Sequence, residues 1–191
     1  MPRPPRLLIA NLPYHIVQRG HRRQIVFESA GDHRAYLNNL RLFSRNFGIA
    51  VHAWCLMPNH VHLLLSPTQD PRALSALMQR LARAATCRWN ARKHTTGSIW
   101  EARFKAREVH EEKYLLECCR HIELNPVRAG LVKAPASYPW SSYRERLGVT
   151  PQHMLDHHAL YLAMGRDDTD RRAAYRHFVE SGLPSSPGGY L

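Results

Sequence analysis

Met57-Pro58-Asn59-His60-Val61-His62-Leu63-Leu64-Leu65 is the stretch on which the reading of the fold turns. Pro58 cannot continue a central ladder, so residues 57–59 read as a break between two strands. Residues 60–65 then form a strand, with a sharp stop at Ser66-Pro67. Alternation along a strand puts His60 and His62 on one face and Val61 on the other. Two imidazoles on one face can bind a single metal ion. The plainer alternative is two polar residues on a half-buried sheet. The apolar flank argues against it, because uncompensated imidazoles on a central strand are costly.

Working outward, residues 49–56 read as the strand before the break. Upstream of it, residues 31–47 carry Tyr36, Leu40, Phe43 and Phe47 at helical spacing, and Gly48 stands where a C-terminal cap belongs. Residues 14–19 are rich in β-formers and end at Gly20, followed by the basic turn His21-Arg22-Arg23. Downstream, Pro71 opens a long helix to Lys93, with Leu74, Leu77, Met78, Leu81 and Ala85 as its apolar stripe. Residues 94–98 are a polar loop, 103–109 a strand, and 111–124 a helix ended by Pro126. The order β-α-β-β-α-β-α predicts an α+β fold, a ferredoxin-like antiparallel sheet covered by helices. Composition changes after Gly130. We therefore expect a domain over residues 1–133 and a small helical C-terminal extension over 134–191. Short helices are expected near 151–164 and 168–181, and a loose tail from Leu183.

The chain has 191 residues, 44% of them hydrophobic, enough for a buried core. Lys and Arg number 27 against 15 Asp and Glu, a net +12. Such an excess points to a polyanionic partner. Cys55, Cys87, Cys118 and Cys119 contain no Cys-x-x-Cys pair, which argues against a zinc ribbon and a disulfide scaffold; reduced thiols in a cytoplasm are the expectation. No signal peptide is expected at the N-terminus, and no stretch approaches the roughly 20 apolar residues of a membrane helix.

On the helix 111–124, Leu115, Cys119 and Ile122 share a face that reads as core. Tyr114, Cys118, His121 and Asn125 share the other. That polar face can lie over the sheet beside His60 and His62, where Asn125 can offer a carbonyl oxygen to the same metal. Exposure of a polar face to water is the alternative. Arg19, Arg22, Arg23, Arg103, Lys105, Arg107 and Arg128 are the candidate phosphate-contacting cations. Residues 103, 105 and 107 are expected to share one side of their strand. Trp100, Phe104 and Trp140 read as core, although Trp100 or Tyr143 can stack on an unpaired base. His153, His157 and His158 read as part of a surface helix rather than a second metal site.

The run from residue 14 to about 147 resembles the REP-associated tyrosine transposases, single-tyrosine members of the HUH nuclease superfamily. The resemblance is carried by His15-Ile-Val-Gln-Arg-Gly20, His21-Arg-Arg-Gln24, Met57-Pro-Asn-His-Val-His62, Gly97-Ser-Ile-Trp-Glu-Ala-Arg-Phe104, Asn125-Pro-Val-Arg-Ala-Gly-Leu-Val132 and Trp140-Ser-Ser-Tyr143. It implies the HUH nuclease fold, and His60, His62 and Asn125 as ligands of a divalent ion, Mg²⁺ or Mn²⁺. It also implies single-stranded or hairpin DNA of REP elements as partner, with cleavage and strand transfer through a covalent phosphotyrosine, as in DNA transposition. Cytoplasmic, nucleoid-associated localisation and a monomer or homodimer follow from the same likeness. A histidine-triad nucleotide hydrolase is set aside, because position 64 is Leu rather than a further His.

The sequence departs from this pattern at the attacking residue. Where the family places its tyrosine, four residues before Asn125, stands His121. Three outcomes are open: a displaced nucleophile such as Tyr114, a labile phosphoramidate on His121, or a DNA-binding protein without cleavage. His121 can also be an extra metal ligand, one turn from Asn125.

Overall fold

The computed structural model describes residues 7–110, 112–151 and 154–183. Four strands, β1 (Tyr14–Arg19), β2 (Ile49–Met57), β3 (His60–Pro67) and β4 (Lys105–Glu108), form one sheet in the order β2-β3-β1-β4. Every neighbouring pair is antiparallel. Helices α1 (Ala30–Phe47) and α2 (Arg72–Lys93) join the strands, giving the expected ferredoxin-like α+β order. Helices α3 (Glu112–Glu123), α4 (Asn125–Arg128), α5 (Tyr143–Arg146), α6 (Ala159–Leu162) and α7 (Asp168–Glu180) follow.

Strand parity divides the core in two. Ile16, Leu56, Val61, Leu63 and Leu65 pack with Leu40 of α1 and Leu74 and Leu77 of α2. Ala53, Cys55, Met57 and Leu64 point to the opposite face, where Leu115, Cys119 and Ile122 of α3 meet Tyr143, Tyr161 and Tyr175. An irregularity between Val51 and Ala53 adjusts the parity of β2. Residues after 134 thus share the second core with α3. They also run beside β2: the amide of Leu56 donates to Trp140 O (2.8 Å) and that of Ser142 to Trp54 O (2.8 Å).

Local chemistry explains the boundaries. Ser29 and Asp32 form a capping box at the start of α1, and Gly48 ends it at φ 61°. Pro67 closes β3 as its last residue, so its missing N–H interrupts no ladder. The fourth strand is shorter than expected, beginning at Lys105, because Phe104 turns into the first core. Arg103 therefore does not share a side with Lys105 and Arg107; it lines a cavity on the α2 face of the sheet. The expected helix near 151–164 reduces to α6, since the amide of Asp156 donates to Val51 O instead. His158 caps α6 by accepting from Leu160 N, while His153 and residues 184–191 lie outside the described residues.

Two contacts fix the turn after β1. A Cβ on Gly20 would meet Gln24 O at 2.5 Å, so this close approach requires glycine. Arg22 and Arg23 both adopt positive φ, 51° and 61°. Asn59 holds the turn from the β2–β3 connection by donating from Nδ2 to Arg23 O (3.1 Å).

A four-histidine site beneath helix α3

The register of the sheet builds the site. Across the central strands, Val17 pairs with His62 and Arg19 with His60, while His15 pairs with Arg107 and Val17 with Lys105. His15, His60 and His62 therefore stand on the face covered by α3, with Arg19, Lys105 and Arg107 around them. The helix adds His121: its ring lies 5.8 Å from that of His15 and 6.1 Å from that of His62. The rings of His60 and His62 are 4.8 Å apart.

Both strand histidines are anchored through Nδ1. His60 Nδ1 lies 2.6 Å from Asn59 Oδ1, and His62 Nδ1 lies 3.0 Å from His15 Nε2. His15 also stacks on His62 at 5.2 Å. This is how ligating histidines are usually held, with one nitrogen fixed and the other presented. Each Nε2 is left without a hydrogen-bond partner among the described residues. Among the same residues, no three His, Cys, Asp or Glu side chains converge to hold a metal ion.

The site keeps its imidazoles neutral. Burial pushes His62 down to about 2, helped by repulsion from His60, His15, His121 and Arg19. Burial and then Arg19 bring His60 to about 4; burial, His121 and Arg107 do the same for His15. His121 is lowered as well, by burial and by Arg128.

Arg128 decides more than charge at His121. Its Nη1 lies 2.9 Å from His121 Nδ1. A guanidinium has only donors, so Nδ1 is the acceptor and the imidazole proton sits on Nε2. Asn125, on the next turn, donates from Nδ2 to His121 O (2.9 Å), leaving Oδ1 as its acceptor.

Beside the histidines opens a groove of about 640 Å³. His15, Arg107, Tyr114, Arg120, His121 and Arg128 line it. Tyr114 is 51% exposed, whereas Tyr14, Tyr36, Tyr138, Tyr143, Tyr161 and Tyr175 are buried. Among the described residues it is the exposed tyrosine. Tyr143 belongs to the second core and is closed to a base at the surface; Trp100 packs in the first core and borders a cavity on the α2 face of the sheet, and Trp140 is half-buried and stacks on His33 at 4.4 Å. Arg22 and Arg23 stand exposed on their turn, and Arg103 lies on the other side of the sheet. His15 and Asn59 were not assigned roles from the sequence. Their signals were there: His15 stands at even spacing from Arg19, and Asn59 adjoins His60. The four cysteines are all free, two of them buried.

Residues 9–125 match the family model described as "Transposase IS200 like". A REP-associated tyrosine transposase of Escherichia coli K12 is 24% identical over 95 residues, covering 49% of this chain and 53% of its own. A protein of Haemophilus influenzae named for the same group is 30% identical over 100 residues, covering 48% of this chain and 57% of its own. The chain thus matches little more than half the length of these curated relatives. A solved REP-associated tyrosine transposase, bound to a REP hairpin, superposes with a TM-score of 0.65 at 19% identity, covering 82% of this chain and 93% of that one. At that identity the likeness shows the fold. Among the described residues no helix is long and apolar enough to cross a membrane.

Proposed function

The chain belongs to the IS200-like transposase family, and from that premise we propose that it binds hairpin or single-stranded DNA, of the REP type, along the groove beside His15 and His121. At His60 and His62 it cleaves one strand with the help of a divalent ion, Mg²⁺ or Mn²⁺, and passes that strand on. The observation that carries this reading is the anchoring of both ring Nδ1 atoms, at 2.6 Å and 3.0 Å, which leaves both Nε2 atoms without a hydrogen-bond partner among the described residues.

The donor set fits such an ion. His60 and His62 supply nitrogens, and Asn125 Oδ1 is the oxygen proposed as third ligand. A divalent ion held there would draw charge from a phosphate oxygen of the scissile bond. The rest falls to the chain. Arg19, Lys105, Arg107 and Arg128, with Arg22 and Arg23 on the turn, hold the phosphates, and Arg103 extends the basic surface around β4. Tyr114 Oη gives its proton to solvent and attacks phosphorus, the P–O3′ bond breaks, and the 3′ oxygen takes a proton from solvent. The product is a 5′-phosphotyrosine and a free 3′-hydroxyl. His121 does not fit the attacking role: with its proton on Nε2 and Nδ1 engaged by Arg128, it has no lone pair to offer. It serves instead as an N–H donor to a phosphate oxygen. Within the extension over residues 134–191, the described residues 134–151 and 154–183 are proposed to buttress α3.

The same tautomer favours a second reading, a hairpin-binding protein that no longer cuts. One experiment separates the two. The protein is incubated with an end-labelled hairpin bearing single-stranded flanks, with Mn²⁺, and run on a denaturing gel. A covalent adduct absent from Tyr114→Phe supports cleavage. Tight binding without any adduct supports the second reading, and absence of binding overturns both.

A further inference from the structure

We propose a second DNA contact on the opposite face of the sheet: a pocket, floored by Gln18, for one unpaired nucleobase. It rests on the reading that the chain binds single-stranded DNA. Gln18 follows the parity of β1, so it points away from the histidines while its neighbour Arg19 points toward them. It is 5% exposed, and its Oε1 is buried with no hydrogen-bond partner. Its Nε2 reaches Ala102 O at 3.5 Å, which leaves the oxygen as the unpaired atom of the amide. An orphaned buried acceptor is costly unless water or a ligand reaches it.

Gln18 lines a cavity of about 1040 Å³ between α2 and the segment leading into β4. Met78, Trp100 and Phe104 supply apolar walls, and Trp100 is locked by donating from Nε1 to Ala82 O (3.1 Å). Arg72 and Arg103 stand exposed at its mouth. An unpaired base matches each part: a planar apolar body for the walls, an edge N–H for Oε1, and a phosphate for the two guanidinium groups. The path is short. Strand β4 is the edge of the sheet, with Lys105 and Arg107 on the histidine face and Arg103 on the other. A single strand leaving the histidine site over this edge arrives at the pocket.

The test scans each nucleotide of the single-stranded flank with an abasic substitution and measures affinity by fluorescence anisotropy at fixed salt. One position should weaken binding roughly 5- to 150-fold, the range of a lost stacked base. In Gln18→Met that penalty should shrink severalfold, while the melting temperature stays equal or rises because the orphan acceptor is gone. Penalties identical in parent and variant at every position overturn the pocket. A second measurement separates this from failure of the function itself: deoxyadenosine monophosphate is titrated while the Gln18 side-chain amide and Trp100 indole NMR signals are followed. Hairpin binding with both signals unmoved overturns the pocket alone. Shifted signals without hairpin binding support the pocket and overturn the proposed function.

Discussion

Arg146 and Glu123 form an ion pair closed off from water beneath α3: Nε lies 3.4 Å from Oε1, with 3% and 0% of the side chains exposed. Glu123 also accepts from Ser142 Oγ (2.6 Å) and Tyr175 Oη (2.7 Å). Arg146 sits against the rings of Tyr161 and Tyr175, at 5.1 and 4.8 Å, and donates to His52 O. The network ties α3, α5 and α7 to β2, and so sets the height of His121 over the sheet. Removing one partner strands the other charge. Glu123→Ala should therefore cost about 3–5 kcal/mol by urea denaturation. A loss below about 1 kcal/mol would show that the pair does not hold this face together.

Metal binding and DNA binding should come apart. His60→Ala and His62→Ala should lose Mn²⁺, measured by calorimetry or EPR, while hairpin affinity without metal changes by no more than a few fold, because phosphate contacts come from arginines and lysines. Full Mn²⁺ affinity in His60→Ala would remove the pair as the ligand site.

Each cation assigned to the groove has a signature in salt. Arg19→Ala, Lys105→Ala, Arg107→Ala and Arg128→Ala should each lower the slope of log K against log salt by about 0.7–0.9. An unchanged slope places that residue outside the DNA path.

His121→Tyr introduces the tyrosine that the resemblance to REP-associated tyrosine transposases implies at this position. Adduct formation should rise at least tenfold over the parent in the Mn²⁺ assay, and Tyr114→Phe in that background should not abolish it. No adduct from His121→Tyr would mean that the substitution alone does not account for the site.

Asp32 should govern acid stability. Burial opposes its ionisation, but hydrogen bonds from Arg92, Ser29 and Arg88 outweigh that and hold the carboxyl well below its ordinary 3.8. The folded value is depressed, so the contribution is complete above the unfolded value and fades as the pH falls below it. Asp32→Asn should be less stable than the parent at pH 7, with the gap in melting temperature narrowing below pH 3.8. A gap constant down to pH 2 would contradict the assignment.

The element order and the His60–His62 pair were legible because both rest on local periodicity, alternation in the strands and helical spacing in α1 to α3. What stayed hidden depends on partners distant in sequence. His15 gains its role only once β1 pairs with β3 and brings it to His62, 47 residues away. Arg103 looked like the start of an alternating strand, but burial of Phe104 delays that strand by two residues and turns Arg103 to the other side. Glu123 lay within a helix whose faces were readable, yet its need for Arg146, 23 residues on, was not.

The turn after β1 holds two consecutive arginines in left-handed geometry, a conformation that costs a side-chain-bearing residue roughly 1 kcal/mol or more. Glycine at either place would relax the backbone and toughen the protein against heat while removing a positive charge. On the proposed function, selection for robustness and selection for grip on the nucleic acid therefore pull this turn in opposite directions. A library screened only for thermal tolerance should enrich glycine there, and a library screened for DNA retention should discard it.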